Sequence, residues 1–274
     1  MRKGIVLCAD DYGQAPAISQ GIIQLLQQRR LSAVSCMVNS PYWQADATYL
    51  LPFTEQADLG LHLNLTEGLA LSPLFIQRYG SQFSSLSVVL AKACLRQWDV
   101  TIIENECHAQ LDHFQQKLGQ LPRFIDGHQH VHQFPVIREA LLRVYEQRLR
   151  GAHTYIRWVN PSFQTAFWLK KAIIYASGTR ALARALKQSH IAHNSSFSGI
   201  YDFKQSSHYP DLFPRFLAEI GEGGLIMCHP GLADKGSEDA IAAARYQEYG
   251  YFSSQQFLAD CEKEQVYLRG FYRP

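Results

Sequence analysis

"VLCADDYG", residues 6–13, decides how the rest of the chain is read. An apolar run that looks like a buried strand stops on two adjacent carboxylates, Asp10 and Asp11. Buried without partners, each would lose several kcal/mol of hydration, so the pair calls for compensating charge nearby. Adjacent side chains on a regular strand point to opposite faces. For both aspartates to serve one site, the strand must turn into its loop there, and Gly13 offers that turn.

Working outward, short apolar runs alternate with longer helical patterns, the signature of an α/β layout with mainly parallel strands. Strands are expected at 4–9, 33–39, 58–65, 123–127, 154–158, 224–228 and 266–270. Helices are expected at 15–28, 101–118, 135–148, 165–187, 209–220 and 237–249. About seven strand–helix units in a single domain, residues 1–274, predict a barrel-like sheet of TIM-barrel type. A doubly wound open sheet is the alternative, and in either architecture ligands gather at the carboxyl ends of the strands.

Composition narrows the class. The 274 residues are 47% hydrophobic, enough for a substantial core, and the net charge of +2 is scattered. That distribution leaves no footprint for nucleic acid. The apolar stretch in residues 2–9 is too short for an export signal, and no run approaches the ~20 apolar residues of a membrane span. Cys8, Cys36, Cys94, Cys107, Cys228 and Cys261 show no CxxC pairing, which reads as reduced thiols. The expectation is a soluble cytoplasmic protein without an integral membrane segment. Its oligomeric state is open, a homodimer included.

Polar residues crowd the predicted strand ends. Asp10 and Asp11 follow the first strand, and His62 and Asn64 share a face of the third. Asp126, His128, His130 and His132 follow the fourth, Arg157 closes the fifth, and His229 closes the sixth. Imidazole and carboxylate suit a divalent cation, and a catalytic site takes about three protein ligands and keeps a position open. Such a cation acidifies water and polarises a carbonyl, while a second carboxylate takes the proton as general base. Spacing alone does not say which histidines bind. In "DGHQHVH" the i, i+2, i+4 positions would share one side of an extended segment. Asp126 could instead orient a ligand histidine through its other ring nitrogen.

"ADDYG", "GLHLNLTEG", "DGHQHVH" and "MCHPG", in this order, resemble the YdjC-like carbohydrate deacetylases from residue 4 to about residue 270. That family includes chitooligosaccharide deacetylases and deacetylases associated with hopanoid biosynthesis. The resemblance implies a distorted (β/α) barrel and a divalent metal. It also implies hydrolysis of an N-acetyl group from an acetylated amino sugar, an oligosaccharide or glycoconjugate, to free amine and acetate. Carried over by motif, Asp11, His62 and His128 would be the metal ligands and Asp10 the base. By analogy with the wider polysaccharide deacetylases, His229 would be the acid that protonates the leaving amine. Tyr12 replaces the usual phenylalanine of the first motif, and Gln129 interrupts the histidines of the third. The family is described with magnesium, whereas two imidazoles favour zinc or another transition metal. A backbone N–H near Tyr12 or Gly13 is a candidate oxyanion donor.

Blander readings compete. Asp10 and Asp11 could cap the helix that follows. Arg157 either holds Asp10 or makes a surface ion pair. Asn64 and Glu67 either touch substrate or are solvated strand ends. His130 and His132 either line the site or are structural. Arg180, Arg184 and Lys187 read as a solvated helix face, and the aromatics of "RYQEYGYF" as sugar-stacking or packing residues. Two other functions are weighed: a two-metal phosphoesterase, which the extra candidates Asp126, His130 and His132 would suit, and a non-catalytic sugar-binding protein.

Overall fold

In the computed structural model, which describes residues 2–160, 174–234 and 238–272, the apolar runs assemble into one curled parallel sheet. Its strands are β1 (Lys3–Tyr12), β2 (Ala33–Cys36), β3 (Asp58–Leu63), β4 (Phe124–Gly127), β5 (Tyr155–Ile156), β6 (Phe197–Ser198), β7 (Leu225–Cys228) and β8 (Val266–Leu268). They run in the order β5-β4-β3-β2-β1-β7-β6, with β8 beside the start of β1. The two outer strands approach each other without a regular ladder. The Ile156 N–H donates to the Ala192 carbonyl at 3.0 Å. Asn194 then bridges the gap, accepting from the Trp158 N–H at 2.8 Å and donating to the carbonyls of Trp158 and Ser196 at 2.9 and 2.8 Å. A side-chain amide thus satisfies backbone groups that an open edge would leave exposed.

Alternation along the strands sorts residues into two environments. Leu7, Val34, Leu61, Ile125, Ile156 and Ile226 pack outward in the main core, beneath the helices. Val6, Cys8, Ala33, Phe124, Tyr155 and Leu225 form a separate inner cluster. Moving two residues up from Cys8, Ala33, Phe124 and Tyr155 gives Asp10, Ser35, Asp126 and Arg157, all buried. The barrel interior is therefore apolar below and charged at its carboxyl end. Gly60 permits the apolar plug, since a Cβ there would lie 2.4 Å from the Phe124 ring.

The departures from expectation have local causes. An eighth strand, β6, is only two residues long and lies in the polar stretch "NSSFSGI"; pairing with Leu225 and Ile226 defines it, not an apolar run. β1 continues through both aspartates. Between β3 and the helix that precedes β4, two helices arise where no element was expected: Pro73–Tyr79 starts behind Ser72, whose hydroxyl accepts from the Phe75 N–H, and a second begins at Leu86. Residues 165–173 of the expected helix 165–187 lie outside the described residues, as does Ser237. The helix expected from there runs from Ala242 to Ser253. Within it, Tyr251 and Phe252 pack against Phe213 at ring-centroid distances of 5.3 and 5.1 Å. Those aromatics are core, which removes them from any sugar-stacking role, whereas Tyr246 is exposed. Arg180, Arg184 and Lys187 are exposed, opposite buried Leu182 and Leu186. Among the described residues no helix is long and apolar enough to cross a membrane.

Candidate active site

The site starts from an irregularity in β1. Pairing with β2 slips between Ala9 and Tyr12, and Asp11 adopts a left-handed backbone with φ of 68°. The result is a β-bulge, which re-aims one side chain. It brings Asp11 to the side Asp10 already faces. The turn expected at Gly13 thus comes two residues earlier, at a residue type that tolerates left-handed geometry. Gly13 also has a positive φ, and its N–H donates to Ser19 Oγ at 3.0 Å, so it is not a free oxyanion donor.

Arg157 supplies the compensating charge. Its guanidinium grips Asp10 with both nitrogens, at 2.7 and 2.6 Å, and stands 2.6 Å from Asp126 Oδ2. All three groups are buried, so the surface ion-pair reading of Arg157 is wrong. Planar, two-pronged pairing of this kind is among the stronger charge-assisted contacts. Asp126 Oδ1 in turn accepts from Ser35 Oγ at 2.5 Å and lies 2.7 Å from His62 Nδ1. Burial alone would raise Asp126, yet Arg157 and His62 hold its carboxyl below the usual range.

Asp11 is the point of convergence. Its Oδ1 lies 3.2 Å from His62 Nε2 and 3.0 Å from His128 Nδ1. An ionised Asp126 only accepts, so His62 carries a proton on Nδ1, and it is Nε2, facing Asp11, that would give up its proton to offer a lone pair to a cation. Two ring nitrogens and a carboxylate oxygen, mutually within 4.8 Å and buried, then face one another and need a positive centre. Burial opposes charge on His62, but Asp126 and Asp11 lift it to about 10. A donor set of two imidazoles and one carboxylate that favours positive charge fits a divalent cation.

The histidine run does not stay extended. Gln129 and His130 have φ of 52° and 63°, and this left-handed turn splits the three histidines. His128 reaches Asp11. His130 packs edge-on against Phe197 with centroids 5.8 Å apart, and His132 Nε2 meets the Arg157 carbonyl at 2.9 Å. The expectation that all three share one side is therefore incorrect. Asn64 is support: its Oδ1 accepts from the Thr66 and Glu67 N–H groups, and its Nδ2 donates to Asn39 and the Glu67 carbonyl.

His229 follows β7. Its N–H donates to Glu248 Oε2 at 2.5 Å, and its ring stands edge-on to Phe203 at 5.3 Å. Burial pushes its imidazole down to about 4. Glu248 also accepts from the Tyr201 hydroxyl at 2.5 Å, and burial raises its carboxyl to about 7. In the unfolded chain that carboxyl ionises near 4.5. Stability from the protonated group is thus complete below that value and is lost as pH rises through about 7. Glu248→Gln mimics the protonated acid and should flatten this dependence. The expected difference between variant and native protein across the window is about 3 kcal/mol, read by thermal melts in steps of pH. Parallel profiles would show that Glu248 does not titrate there.

Sequence reasoning missed Ser35, Glu248 and Arg245. Arg245 donates to Asp11 Oδ2 at 2.8 Å, Gln14 Oε1 at 2.9 Å and Asp239 at 2.5 Å. Burial raises Asp11, but Arg245 and then His128 hold it well below the carboxylate range. The available signal was two charged residues three apart, Arg245 and Glu248, on the face that also buries Ala244, Tyr251 and Phe252.

A model of the YdjC-like protein family matches residues 4–263. The chain belongs to the YdjC-like family. Among its relatives, a carbohydrate deacetylase of Mus musculus is 33% identical over 150 residues, an alignment covering 51% of this chain and 47% of the relative. The chain thus spans about half the length of the vertebrate relatives it matches. A carbohydrate deacetylase of Geobacillus stearothermophilus is 25% identical over 286 residues, with 100% of both chains covered. A crystal structure from Enterococcus faecalis V583, provisionally assigned to cellobiose-phosphate cleavage, is 21% identical. It superposes with a TM-score of 0.74 over 99% of this chain and 98% of its own. At that identity the likeness shows that the barrel is shared.

Proposed function

We propose that this YdjC-like chain acts as one domain, a metal-dependent carbohydrate deacetylase. It would hydrolyse an N-acetyl group of a small acetylated amino sugar or glycoconjugate to free amine and acetate. The observation that carries the reading is the bulged pair, with Asp10 held by Arg157 directly beside Asp11 and its two imidazoles. Relatives named carbohydrate deacetylase support the substrate class. Free cysteines, five of the six buried, suit a reducing compartment, in keeping with a cytoplasmic enzyme.

Asp11, His62 and His128 would hold one divalent ion. When bound, such an ion polarises the acetyl carbonyl and acidifies water. Magnesium follows from the family, zinc from the imidazole donors. Asp10 takes the proton of the attacking water, and Arg157 fixes both of its oxygens so that the carboxylate keeps one orientation. His229 enters the reaction uncharged, since burial holds it near 4. The proton it delivers to the departing amine would therefore be the one Asp10 takes from the attacking water, passed on to His229 within the site, which returns Asp10 to its carboxylate. The phosphoesterase reading is less favoured: among the described residues, the second group of possible ligands, Cys8, Asp10 and Asp126, is already bridged by Arg157.

The test is acetate release from N-acetylglucosamine, chitobiose, longer chitooligosaccharides and acetylated glycolipids, with magnesium- or zinc-loaded protein and an EDTA-treated control. Chelator-sensitive acetate from any of them is the expected result. No acetate from the whole panel with metal bound, or phosphate release from sugar phosphates, would overturn the reading.

A further inference from the structure

The turn after β3 is built on buried amides. Asn64 Oδ1 accepts from the Thr66 and Glu67 N–H groups at 3.0 and 3.1 Å. Asn64 Nδ2 and Asn39 Nδ2 both donate to the Glu67 carbonyl, at 2.7 and 3.0 Å. Gln110 brackets the backbone of Asn64 at 3.0 and 2.7 Å. All of this fixes the backbone of one residue whose carboxylate stands at the mouth, with a side chain 43% exposed.

That carboxylate closes a ring of polar contacts. Glu67 Oε1 lies 3.1 Å from His128 Nε2, and Glu67 Oε2 accepts from Gln14 Nε2 at 2.8 Å. Gln14 Oε1 accepts from Arg245, which donates to Asp11 Oδ2. Asp11 Oδ1 returns to His128 Nδ1. The ring thus begins and ends on two candidate ligands. Asp126 meets the outer nitrogen of His62 from the dry interior, and Glu67 meets the outer nitrogen of His128 from the solvent side. Among the described residues that nitrogen has no hydrogen-bond partner of regular geometry, so the Glu67 carboxylate is the group placed to orient it.

We propose that Glu67 is a positioning residue for the metal site. Through its carboxylate beside His128 Nε2, and through Gln14 and Arg245, it holds the His128 ring with Nδ1 toward Asp11. This rests on Asp11, His62 and His128 being the metal ligands. A carboxylate on the far nitrogen of a ligand histidine sets its tautomer and raises its basicity. Loss of such partners typically costs about 10–100-fold in metal affinity.

The test titrates chelator-stripped protein with zinc, comparing native chain, Glu67→Ala, Glu67→Gln and His128→Ala. Glu67 is half-exposed, so its variants are expected to fold with the melting temperature of the metal-free native protein. Glu67→Ala should bind zinc about 10–100-fold more weakly. Glu67→Gln should fall between, because its carbonyl can still accept from Nε2–H. Native zinc affinity in Glu67→Ala, with His128→Ala deficient, would overturn the proposal. A rise in KM alone would then mark Glu67 as a substrate contact. If the native chain binds no zinc, or His128→Ala binds it normally, the ligand assignment itself fails and the proposal with it.

Discussion

Asp10→Asn is expected to bind its metal with native affinity and to lose acetate release by about 10²–10⁴-fold in kcat, the usual contribution of a positioned general base. The substitution keeps the shape of the side chain and one oxygen for Arg157, and it leaves Asp11, His62 and His128 untouched. What it removes is the capacity to take a proton. Zinc titration and steady-state kinetics on the same preparation separate the two effects. Activity within a few-fold of native would show that another group deprotonates the water. Weakened metal binding instead would place Asp10 among the ligands.

The second large effect is on stability. Arg157→Met exchanges a buried guanidinium for an apolar side chain of similar length, and leaves Asp10 and Asp126 facing each other without a counter-charge. Removing one partner of a buried ion pair costs about 3–5 kcal/mol. For a chain of this size that lowers Tm by on the order of 10 °C. Scanning calorimetry on the metal-free protein makes the measurement. Adding Asp10→Asn to Arg157→Met should recover part of the loss, because one stranded charge is then gone. A Tm unchanged by Arg157→Met, or a double variant no better than the single, would mean that water or protonation already neutralises the two aspartates.

The barrel was legible because its strands are apolar runs between helical periods, and the pool of candidate site residues because strands in such folds deliver their polar ends to one rim; which histidines meet Asp11 came only from the family resemblance. Of the alternatives open for Asp126, its place 2.7 Å from His62 Nδ1 matches that of an orienter of this histidine. Periodicity carried no further than that. β6 escaped because two residues of strand, Phe197 and Ser198, leave no pattern. The bulge escaped because nothing in "ADDY" announces that Asp11 takes a left-handed turn ahead of Gly13. His130 and His132 were misplaced for the same reason, since a left-handed Gln129–His130 pair reverses which side each ring faces. Arg245 and Glu248 come from a helix outside every motif, and the pairing of β7 with β1 brings that helix beside Asp11 and His229.

The bulge has a mechanical consequence. Because the proposed general base and the proposed metal anchor hang from consecutive residues of one strand, no hinge lies between them. Breathing of the surrounding loops can admit, tilt or reject a substrate, but it carries the reacting pair along as a rigid unit. Mouth segments other than the Glu67 turn would thereby be free to be remodelled for new sugars without detuning the proposed hydrolytic step, whereas a single inserted or deleted residue in β1 would separate its two halves.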